Sequence, residues 1–543
     1  MITYLYRELL FGGKTMGDKI RKVLIFGGGN SGWMTGAYLS QFLNIKNNPD
    51  IELTLIESPS IPAVGIGESS VPHIRSFLKA LGFSEAEWLS ACKGSVKLGT
   101  TFVNWSGKDK NDIWRNPFDS HSPEVKGFSL ADWWTYLHIK QGQESFPNNF
   151  SLSDFLMEKK KAPRLLEDKR NFTSDVEYAY HFDAKLHGNY CKRFAIANGL
   201  KHIVDTVKGV SVNLNGEIDY LHTEKNGEVH ADLFIDCSGF KGELISRALN
   251  EPFIPYSDFL LCDRAVSIHV PHKGQNLNPY TTSTALNSGW VWDIPLSDNT
   301  SYGYVYSNSF TSREKAEEEL RQFIGKRASE IEAQHITLRA GRSRSLWVKN
   351  CVAIGLAGGF SDPLESTGLY LTQRGIEELV NYWPNTRSES FFMAEYNRIM
   401  RAEHDTIKNF IALHYCTSSR EDTAFWESNK NSLILPQEVK ELLAIWKSGV
   451  LMKKTMHIPG KARLDAPFAV SNHQRLFTGM HYLPNKAPGT LGFHENTEVL
   501  KTIKSIQQKM SEEAERYPSH NEFVDSLNKR KVYGSTISKL SRN

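Results

Sequence analysis

A glycine-rich turn near the start of the chain constrains the fold more than any other feature. The apolar run at 21–26 ends in Gly27-Gly28-Gly29-Asn30-Ser31-Gly32, a helical pattern follows at 34–42, and a second apolar run at 53–56 ends at Glu57. Strand, glycine turn, helix and strand in this order predict the opening unit of a Rossmann-type fold. Such a turn lets backbone N–H groups approach a pyrophosphate, and the acid after the second strand can bind a ribose. Glu57 could also be an ordinary solvated strand end. The predicted dinucleotide contacts are Gly27, Gly29, Asn30, Ser31, Gly32 and Glu57.

Three further turns of small residues follow later in the chain. Gly65-Ile66-Gly67-Glu68-Ser69-Ser70 comes shortly after the second strand, and two later apolar runs contain Asp236-Cys237-Ser238-Gly239 and Gly355-Leu356-Ala357-Gly358-Gly359. Each turn alone could be a plain strand end, but a one-domain NAD enzyme would not need three of them at one sheet. Together they favour FAD as the cofactor. The residues predicted to contact it here are Gly67, Glu68, Ser69, Asp236, Gly355 and Leu356.

The rest of the chain predicts how the fold is organised. Its 543 residues suffice for two to four domain-sized units. Residues 100–190 and 260–345 mix short strands, turns and aromatic side chains, which indicates insertions on a substrate side. From about 371 the pattern turns helical, with amphipathic helices at 495–530. We predict an α/β fold with a Rossmann-like FAD-binding core of the GR2-type, monooxygenase-like kind at 16–370. An interleaved, mostly helical substrate module is completed by 371–543.

The first residues are treated separately. Residues 1–15 lack the charged start and the cleavage site of a signal peptide, and the sequence restarts at Met16, where a nucleotide-binding strand usually begins. We predict that 1–15 is a mis-assigned leader, translated from upstream of the true start.

Composition excludes several classes of function. The formal net charge is +3 and no basic tract is interleaved with aromatic residues, which argues against a nucleic-acid surface. The six cysteines are scattered without metal-binding spacing, so we expect reduced thiols in a cytoplasmic protein and no metal site. No apolar stretch approaches the roughly 18–20 residues that span a bilayer, and a membrane protein is therefore not expected.

Four ordered segments make this sequence similar to one enzyme family. GGGNSGWMTG at 27–36, GIGESSVP at 65–72, GWVWDIP at 289–295 and DPLESTG at 362–368 resemble the signature segments of flavin-dependent tryptophan halogenases. A tryptophan pair alone is more often part of a core, so it is the co-occurrence with the flavin segments that is diagnostic. The resemblance implies that the WxWxIP segment keeps the organic substrate away from the flavin. Its residues are Trp290, Trp292, Ile294 and Pro295.

The resemblance also implies a reaction. Reduced FAD, O2 and a halide (chloride, bromide or iodide) give hypohalous acid, and the halide binds at the backbone of Thr367 and Gly368. A glycine-bearing turn with inward N–H groups is a reasonable anion site on physical grounds too. Glu365 matches the family's catalytic glutamate, which stabilises the cationic ring and takes its proton. Ser366 lies between the halide turn and this glutamate.

A lysine then passes the halogen to the aromatic ring, either by donating hydrogen bonds to hypohalous acid or as a haloamine. The register against FVNW at 102–105 selects Lys97 as this residue. Lys93 lies one turn or strand step away and is the competing candidate. The alternative for either lysine is an ordinary solvated surface residue. Family members often carry a second lysine four positions later, where this chain has Thr101.

The substrate residues depart from the family pattern. Tryptophan-specific members clamp the indole with His-x-Phe, whereas this chain has Asn116-Pro117-Phe118. They hold the amino-acid group with a Tyr-Tyr pair, but between 440 and 490 this chain has only His481-Tyr482. We therefore expect an indole or another electron-rich aromatic substrate rather than free tryptophan. The predicted pocket residues are Asn116, Phe118 and Ser366.

Two alternatives stay open from sequence. One is a flavin-dependent aromatic monooxygenase, a hydroxylase of the same broad fold, and the other is a catalytically inactive flavoprotein that serves as a scaffold. No second GxGxxG is evident for NAD(P)H, so we expect a separate flavin reductase to supply FADH2. The expected assembly is a monomer or a homodimer.

Overall fold

The computed structural model describes most of the chain. The described residues are 19–61, 67–108, 112–118, 122–142, 147–272, 277–384, 386, 389–452 and 467–530. The predicted leader at 1–15 and two residues of the second glycine segment, Gly65 and Ile66, lie outside them.

Helices are named α1 to α14 in chain order over the described residues. They are Asn30–Phe42, His73–Ala80, Glu85–Ala91, Leu130–Gln141, Leu152–Glu158, Ala184–Ala197, Arg313–Ile324, Gly368–Asn381, Ser390–Cys416, Ala424–Asn431, Gln437–Lys447, Val470–Gly479, Asn496–Glu515 and His520–Arg530. None of these helices is long and apolar enough to cross a membrane.

Strands are named β1 to β24 in the same way. They are Lys22–Phe26, Glu52–Glu57, Gly67–Ser69, Ser95–Lys97, Gly99–Val103, Ile113–Pro117, Glu124–Val125, Phe128–Ser129, Ala179–Asp183, Lys201–Val204, Val207–Val212, Ile218–Thr223, Gly227–His230, Leu233–Asp236, Phe253–Pro255, Arg264–Pro271, Thr281–Ala285, Gly289–Pro295, Asn299–Tyr306, Gln334–Thr337, Gly341–Ser343, Trp347–Val348, Cys351–Ala353 and Gly359–Phe360.

The first apolar runs form the predicted parallel sheet. Its strand order is β10-β2-β1-β14-β23-β22, and every neighbouring pair except β22 with β23 is parallel. The interior strands are almost continuously apolar and buried, as expected for a parallel sheet covered on both faces. The α/β prediction is confirmed, and the carboxyl ends of β1, β14 and β23 bring three of the predicted small-residue turns to one edge.

A second, seven-stranded sheet interleaves with the first along the chain. Its order is β20-β16-β19-β18-β17-β5-β6, and its neighbours are antiparallel except for β17 with β5. The WxWxIP segment is its central strand β18, paired with both β17 and β19. The interleaved part is thus built on a large sheet as well as on helices. The boundary at residue 370 stays a prediction.

A small sheet joins these layers next to the predicted lysine. Strand β9 lies between β3 of the GIGESS segment and β4, which ends at Lys97. The far end of the chain supports β4, because His520 at the start of α14 accepts a hydrogen bond from the Val96 N–H at 3.0 Å. The His520 Nδ1 hydrogen points to the carbonyl of Leu277 at 3.1 Å. The lysine strand is therefore held by a residue more than 400 positions away.

Candidate active site

The first glycine turn forms a cradle at the N-terminus of α1. Gly27 has a φ of 117°, and a Cβ there would collide with the carbonyl of Cys237. A Cβ at Gly32 would collide with the Gly27 carbonyl, whereas one at Gly29 would meet open space. No side chain caps α1, and both polar atoms of the Asn30 amide are buried without a hydrogen-bond partner. Free N–H groups and an unpaired amide at a helix start suit a bound phosphate.

Glu57 reaches the same turn. Its carboxylate accepts hydrogen bonds from Lys192 Nζ and contacts His202 Nε2, both at 2.8 Å, and a Cβ at Gly28 would collide with it. The indole N–H of Trp33 lies 3.4 Å away. Glu57 therefore lies beside the glycines and in a network of its own, not at an ordinary solvated strand end.

The turn at 355–357 connects this cradle to helix α8. Gly355 has a φ of +69°, and a Cβ there would collide with Ser31 of α1 and meet Thr372 of α8 at 3.4 Å. Leu356 follows in the same turn. The predicted contacts Ser31, Gly355 and Leu356 are thus brought together.

Asp236 has a structural position. Its buried carboxylate accepts hydrogen bonds from the backbone N–H groups of Ser238, Leu244 and Ile245 at 2.9 Å each, and from the Ser238 hydroxyl at 2.5 Å. Four donors saturate the two oxygens. The side chain therefore shapes the turn after β14 and is not directed to a ligand.

The second glycine segment lies between the cradle and the lysine. A Cβ at Gly67 would lie 2.6 Å from the Ser301 Cβ, so this close approach needs glycine. Burial raises the pKa of Glu68 to about 7. The Ser69 hydroxyl lies between those of Ser366 at 2.9 Å and Thr281 at 2.8 Å. Ser69 was predicted as a flavin contact, but its side chain joins the lysine end.

The two tryptophans contact Asp362 of the DPLESTG segment and Ser301, the residue that packs against Gly67. Trp290 Nε1 donates to Asp362 Oδ1 at 3.2 Å, and Trp292 Nε1 donates to Ser301 Oγ at 3.3 Å. Both rings are buried, with their centroids 6.3 Å apart. Ile294 packs in the same core cluster, and the Pro295 carbonyl accepts a hydrogen bond from Ser95 Oγ. Both indole rings of the segment are thus buried and fixed by hydrogen bonds.

The predicted halide residues begin helix α8. Thr367 precedes the first residue, Gly368, and no side chain caps the helix. A Cβ at Gly368 would meet open space, and Ser366 just before has a left-handed φ of 60°. The first N–H groups of α8 are thus available to an anion.

Lys97 is completely buried at the lysine end. Its Nζ donates to Ser366 Oγ at 2.9 Å and lies 5.0 Å from the centre of the Phe118 ring. Burial lowers the pKa of Lys97 to about 7, and Glu365 partly offsets this effect. Lys93 differs in exposure, in partner and in the direction of its pKa shift. Its side chain is half-exposed and pairs with Asp298, and this pairing raises the pKa of Lys93. The structure thus favours Lys97 over Lys93.

Glu365 is held by side chains from three separate segments. Its Oε1 accepts from Asn116 Nδ2 at 2.9 Å and contacts His414 Nε2 at 3.1 Å, while Oε2 lies 3.5 Å from Thr100 Oγ1. The Phe410 carbonyl, 3.0 Å from His414 Nδ1, can only accept, so Nδ1 carries a hydrogen. With that hydrogen on Nδ1, a neutral imidazole would have only a lone pair on Nε2. The close contact between Nε2 and Oε1 therefore needs one further proton between these two atoms. Oε1 is saturated, and Oε2 is the oxygen left for a reacting proton.

Asn116 occupies the place of the family's clamping histidine and contacts Glu365. Its Oδ1 accepts from Asn472 Nδ2 of α12 at 2.8 Å, so both ends of the amide are engaged.

Thr101 has an unpaired, buried hydroxyl and provides no second amine. Tyr482 packs against Lys447, whose Nζ lies 3.9 Å from the ring centre.

Sequence reasoning missed His414, Asn472 and Thr100. His414 and Asn472 lie in helical segments without a motif, and Thr100 is one of several hydroxyl residues in its strand. Only their spatial contact with Glu365 and Asn116 marks them. A lone histidine on a helix offers no sequence signal for such a contact.

Comparison with known proteins agrees with this geometry. A model of the tryptophan halogenase family matches residues 22–492. The 7-chloro-L-tryptophan 6-halogenase KtzR of Kutzneria sp. (strain 744) is 33% identical, over 92% of this chain and 98% of that protein. Two solved structures are similar at 32% identity. Tar14, a tryptophan C-6 flavin-dependent halogenase (chlorinase) from taromycin biosynthesis, has a TM-score of 0.84 and covers 93% of this chain and 99% of its own. The tryptophan 6-halogenase SttH from Streptomyces toxytricini has a TM-score of 0.85, with 94% and 100% covered. This chain belongs to the tryptophan halogenase family and is a flavin-dependent halogenase.

Proposed function

We propose that Lys97 and Glu365 carry out electrophilic halogenation of an indole or another electron-rich aromatic ring. The observation that supports this most directly is the turn at 365–368. This turn carries Glu365, the Ser366 hydroxyl bound to Lys97, and the uncapped start of α8. The halide site, the hydrogen-bond partner of the lysine and the proton acceptor would therefore lie within one short segment.

The glycine cradle suits FAD, and we propose that it holds this cofactor. The residues available are Gly27, Gly29, Asn30, Ser31 and Gly32, with Glu57 for a ribose and Gly67, Glu68, Gly355 and Leu356 nearby. Bound in its reduced form, FAD supplies the electrons with which O2 and a halide become hypohalous acid. The sequence has one GxGxxG, so we propose that a separate reductase delivers FADH2.

Thr367 and Gly368 would bind the halide through their N–H groups. The positive end of the α8 dipole and the open space before Gly368 favour a small anion there. Trp290 and Trp292 would then exclude the organic substrate from this end of the site, because their buried rings are fixed by hydrogen bonds.

Lys97 would receive the hypohalous acid. Because burial lowers the pKa of Lys97 to about 7, a sizeable share of the side chain is a neutral amine near neutral pH. A neutral amine can attack the halogen, whereas an ammonium cannot. Phe118 fills the space beside Nζ and would limit where a ring can approach.

Glu365 would take the proton that the ring loses. Asn116 and His414 occupy Oε1, whereas Oε2 accepts only the long hydrogen bond from Thr100 and keeps a lone pair for the proton of the ring. A carboxylate so held stabilises the cationic ring and then accepts its proton.

The substrate is proposed from the residues that differ from the family pattern. The Asn116 amide is engaged at both ends, by Glu365 and Asn472, and has no aromatic ring to stack on an indole. KtzR and SttH are named for tryptophan substrates, and this chain lacks the His-x-Phe clamp that the family resemblance implies for tryptophan-specific members. A simple indole or another electron-rich arene is therefore proposed rather than free tryptophan.

The test is a product survey with FAD, NADH and a flavin reductase in air. Chloride, bromide and iodide are supplied in parallel, over free tryptophan, simple indoles and phenols, and products are identified by mass spectrometry. We expect halogenated indole from wild type and from the matched control Lys93→Met. Lys97→Met should make at least about 10²-fold less product, while hypohalous acid is still caught by an added scavenger.

Two results would contradict the proposal. Oxygen instead of halogen in the product, or full halogenation by Lys97→Met, would exclude the assigned chemistry. Free tryptophan as the best substrate would overturn the substrate assignment alone.

A further inference from the structure

A series of buried side chains, each hydrogen-bonded to the next, leads away from Lys97. Its first part is the hydroxyl chain, which we define as Ser366, Ser69 and Thr281. Lys97 Nζ lies 2.9 Å from Ser366 Oγ, which lies 2.9 Å from Ser69 Oγ, which lies 2.8 Å from Thr281 Oγ1. All four side chains are buried.

The chain continues to a histidine and ends at a carbonyl. His181 Nε2 lies 2.9 Å from Thr281 Oγ1, and His181 Nδ1 lies 3.2 Å from Ser95 Oγ. Ser95 Oγ in turn donates to the Pro295 carbonyl at 2.5 Å. His181 is 0% exposed, so its partners are these side chains and not water.

The small sheet β3-β9-β4 explains this alignment. His181 of β9 is directly opposite Ser69 on one side and Ser95 on the other. Side chains at one register position point to the same face of a sheet, and Lys97 lies two residues beyond Ser95 on that face. The sheet thus places histidine, serines and lysine in one layer.

The terminal carbonyl fixes the direction of the hydrogen bonds. The Pro295 carbonyl can only accept a hydrogen bond, so the single hydroxyl hydrogen of Ser95 points to it. Ser95 Oγ therefore accepts a hydrogen bond from His181 Nδ1–H. Burial lowers the pKa of His181 well below its ordinary value, so the ring is neutral and Nε2 has a free lone pair. Thr281 must then donate to Nε2.

The same reasoning runs along the hydroxyl chain. Thr281 has given its hydrogen to His181 and accepts from Ser69, and Ser69 accepts from Ser366. Ser366 is left to accept from Lys97, which is the direction observed. Every hydrogen therefore points from the lysine toward the histidine.

We propose that His181 is the proton acceptor for Lys97, reached through the hydroxyl chain, and that it makes the lysine a nucleophilic amine for the halogen. This inference rests on the proposed function of Lys97. It assigns a role in halogen transfer to a histidine that reaches Lys97 only through the hydroxyl chain.

The proton transfer balances as one shift along the chain. Nζ gives a proton to Ser366, each hydroxyl passes its own hydrogen onward, and Thr281 gives its hydrogen to His181 Nε2. The amine then attacks hypohalous acid, so that an N–X bond forms as the O–X bond breaks. The hydroxide that leaves takes a proton from the same nitrogen and departs as water, and the halogen keeps its oxidation state. When the ring takes the halogen, the amine recovers its proton from His181.

Apart from the proton that leaves in water, two protons need an acceptor in the protein, and the structure offers two. Under the proposed function Glu365 Oε2 takes the ring proton, whereas Ser366 connects Nζ with Ser69 and the path to His181. Burial lowers the pKa of His181 most, a positive charge on Lys97 or His520 lowers it further, and the backbone of Pro295 acts in the opposite direction. His181 therefore gains a proton only as Lys97 loses one, and it returns the proton readily.

The test uses the full-length flavin-free protein and sodium hypochlorite as the probe. The initial rate of N-chlorination at Lys97 is measured by rapid quenching and peptide mass spectrometry from about pH 6 to about pH 9. His181→Gln can still accept from Thr281 but cannot take a proton, and Thr281→Val breaks the chain. Thr282→Val, on the same strand, is the matched control, and Lys97→Met is the blank.

Near pH 6 we expect Lys97 to be chlorinated about tenfold more slowly in His181→Gln and Thr281→Val than in wild type and Thr282→Val. The difference should close near pH 9, because the pKa of Lys97 is about 7 and the amine is then already neutral. Equal rates at all pH values would overturn the proposal, and so would a deficit that persists unchanged at pH 9. Because no flavin is present, failure of FAD-dependent halogenation would contradict the proposed function and not this inference.

Discussion

At the glycine end of the site the main chain forms the surface, whereas at the lysine end side chains form it. The cradle at Gly27, the start of α1 and the turn at Gly355 present backbone N–H groups and close approaches that exclude a Cβ. At the other end, Lys97 and Glu365 are held by buried side chains that come from distant segments.

Because the two ends are built differently, they can be perturbed separately. A change at a cradle glycine alters the backbone and, if the cradle holds FAD as proposed, changes the affinity for FAD. A change at the lysine end alters which atoms hold or move a proton and leaves the cradle intact. Each prediction below strengthens or breaks this separation.

The largest effect is expected for Glu365→Gln. Glutamine keeps the size of the side chain and a carbonyl oxygen toward Asn116, but it cannot take the ring proton. We expect kcat for halogenation to fall by about 10²- to 10⁴-fold. The Kd of FAD, measured by fluorescence titration, should not change.

Glu377→Gln is a suitable control, because Glu377 pairs with His73 and Arg374 outside the lysine end. It should keep kcat. If Glu365→Gln instead weakened FAD binding strongly, the two ends would not be separable.

The next effect is expected for Gly27→Ala. The φ of 117° is strained for alanine, and the added Cβ would collide with the Cys237 carbonyl. We expect the Kd of FAD to rise by roughly 10- to 100-fold, since about 1.4 kcal/mol corresponds to tenfold. Saturating FAD should restore much of kcat, because Lys97 and Glu365 are unchanged.

Gly82→Ala separates strain from collision. Gly82 also has a left-handed φ, of 72°, but a Cβ there would meet open space. It should cost about 1 kcal/mol of stability and leave the Kd of FAD unchanged. A low kcat of Gly27→Ala that saturating FAD does not improve would argue against separate ends.

The difference between a site end formed by the main chain and one formed by side chains also explains which residues could be predicted from the sequence. The turns at Gly27 and Gly355 follow strands within a few residues, so local order of strand, glycine and helix was enough to find them. Lys97 and Glu365 were found through their resemblance to a family, since their spacing of 268 positions has no local signature.

Other parts of the site had no sequence signal. The contact between His414 and Glu365 depends on how α9 packs against the 365–368 turn, and the position of Ser69 depends on a three-stranded sheet. Asp236 was expected at the flavin because it ends a strand, but four hydrogen bonds within its own turn occupy it. Such outcomes follow from tertiary packing, which local patterns do not contain.

The smallest effect is expected at Asn472, which supports the lysine end from α12. Asn472→Asp can still accept from the Ala469 N–H, as Asn472 Oδ1 does at 2.8 Å, but it cannot donate to Asn116. Asn116 would then be less well oriented toward Glu365, and kcat should fall by about two- to tenfold with an unchanged Tm. Asn472→Ala loses both contacts, so it should lower kcat and Tm together. If Asn472→Asp lowered Tm as much as Asn472→Ala does, the residue would stabilise α12 alone. If neither variant changed kcat, the orientation of Asn116 would not limit the reaction, and the lysine end would depend on Glu365 and His414 without support from α12.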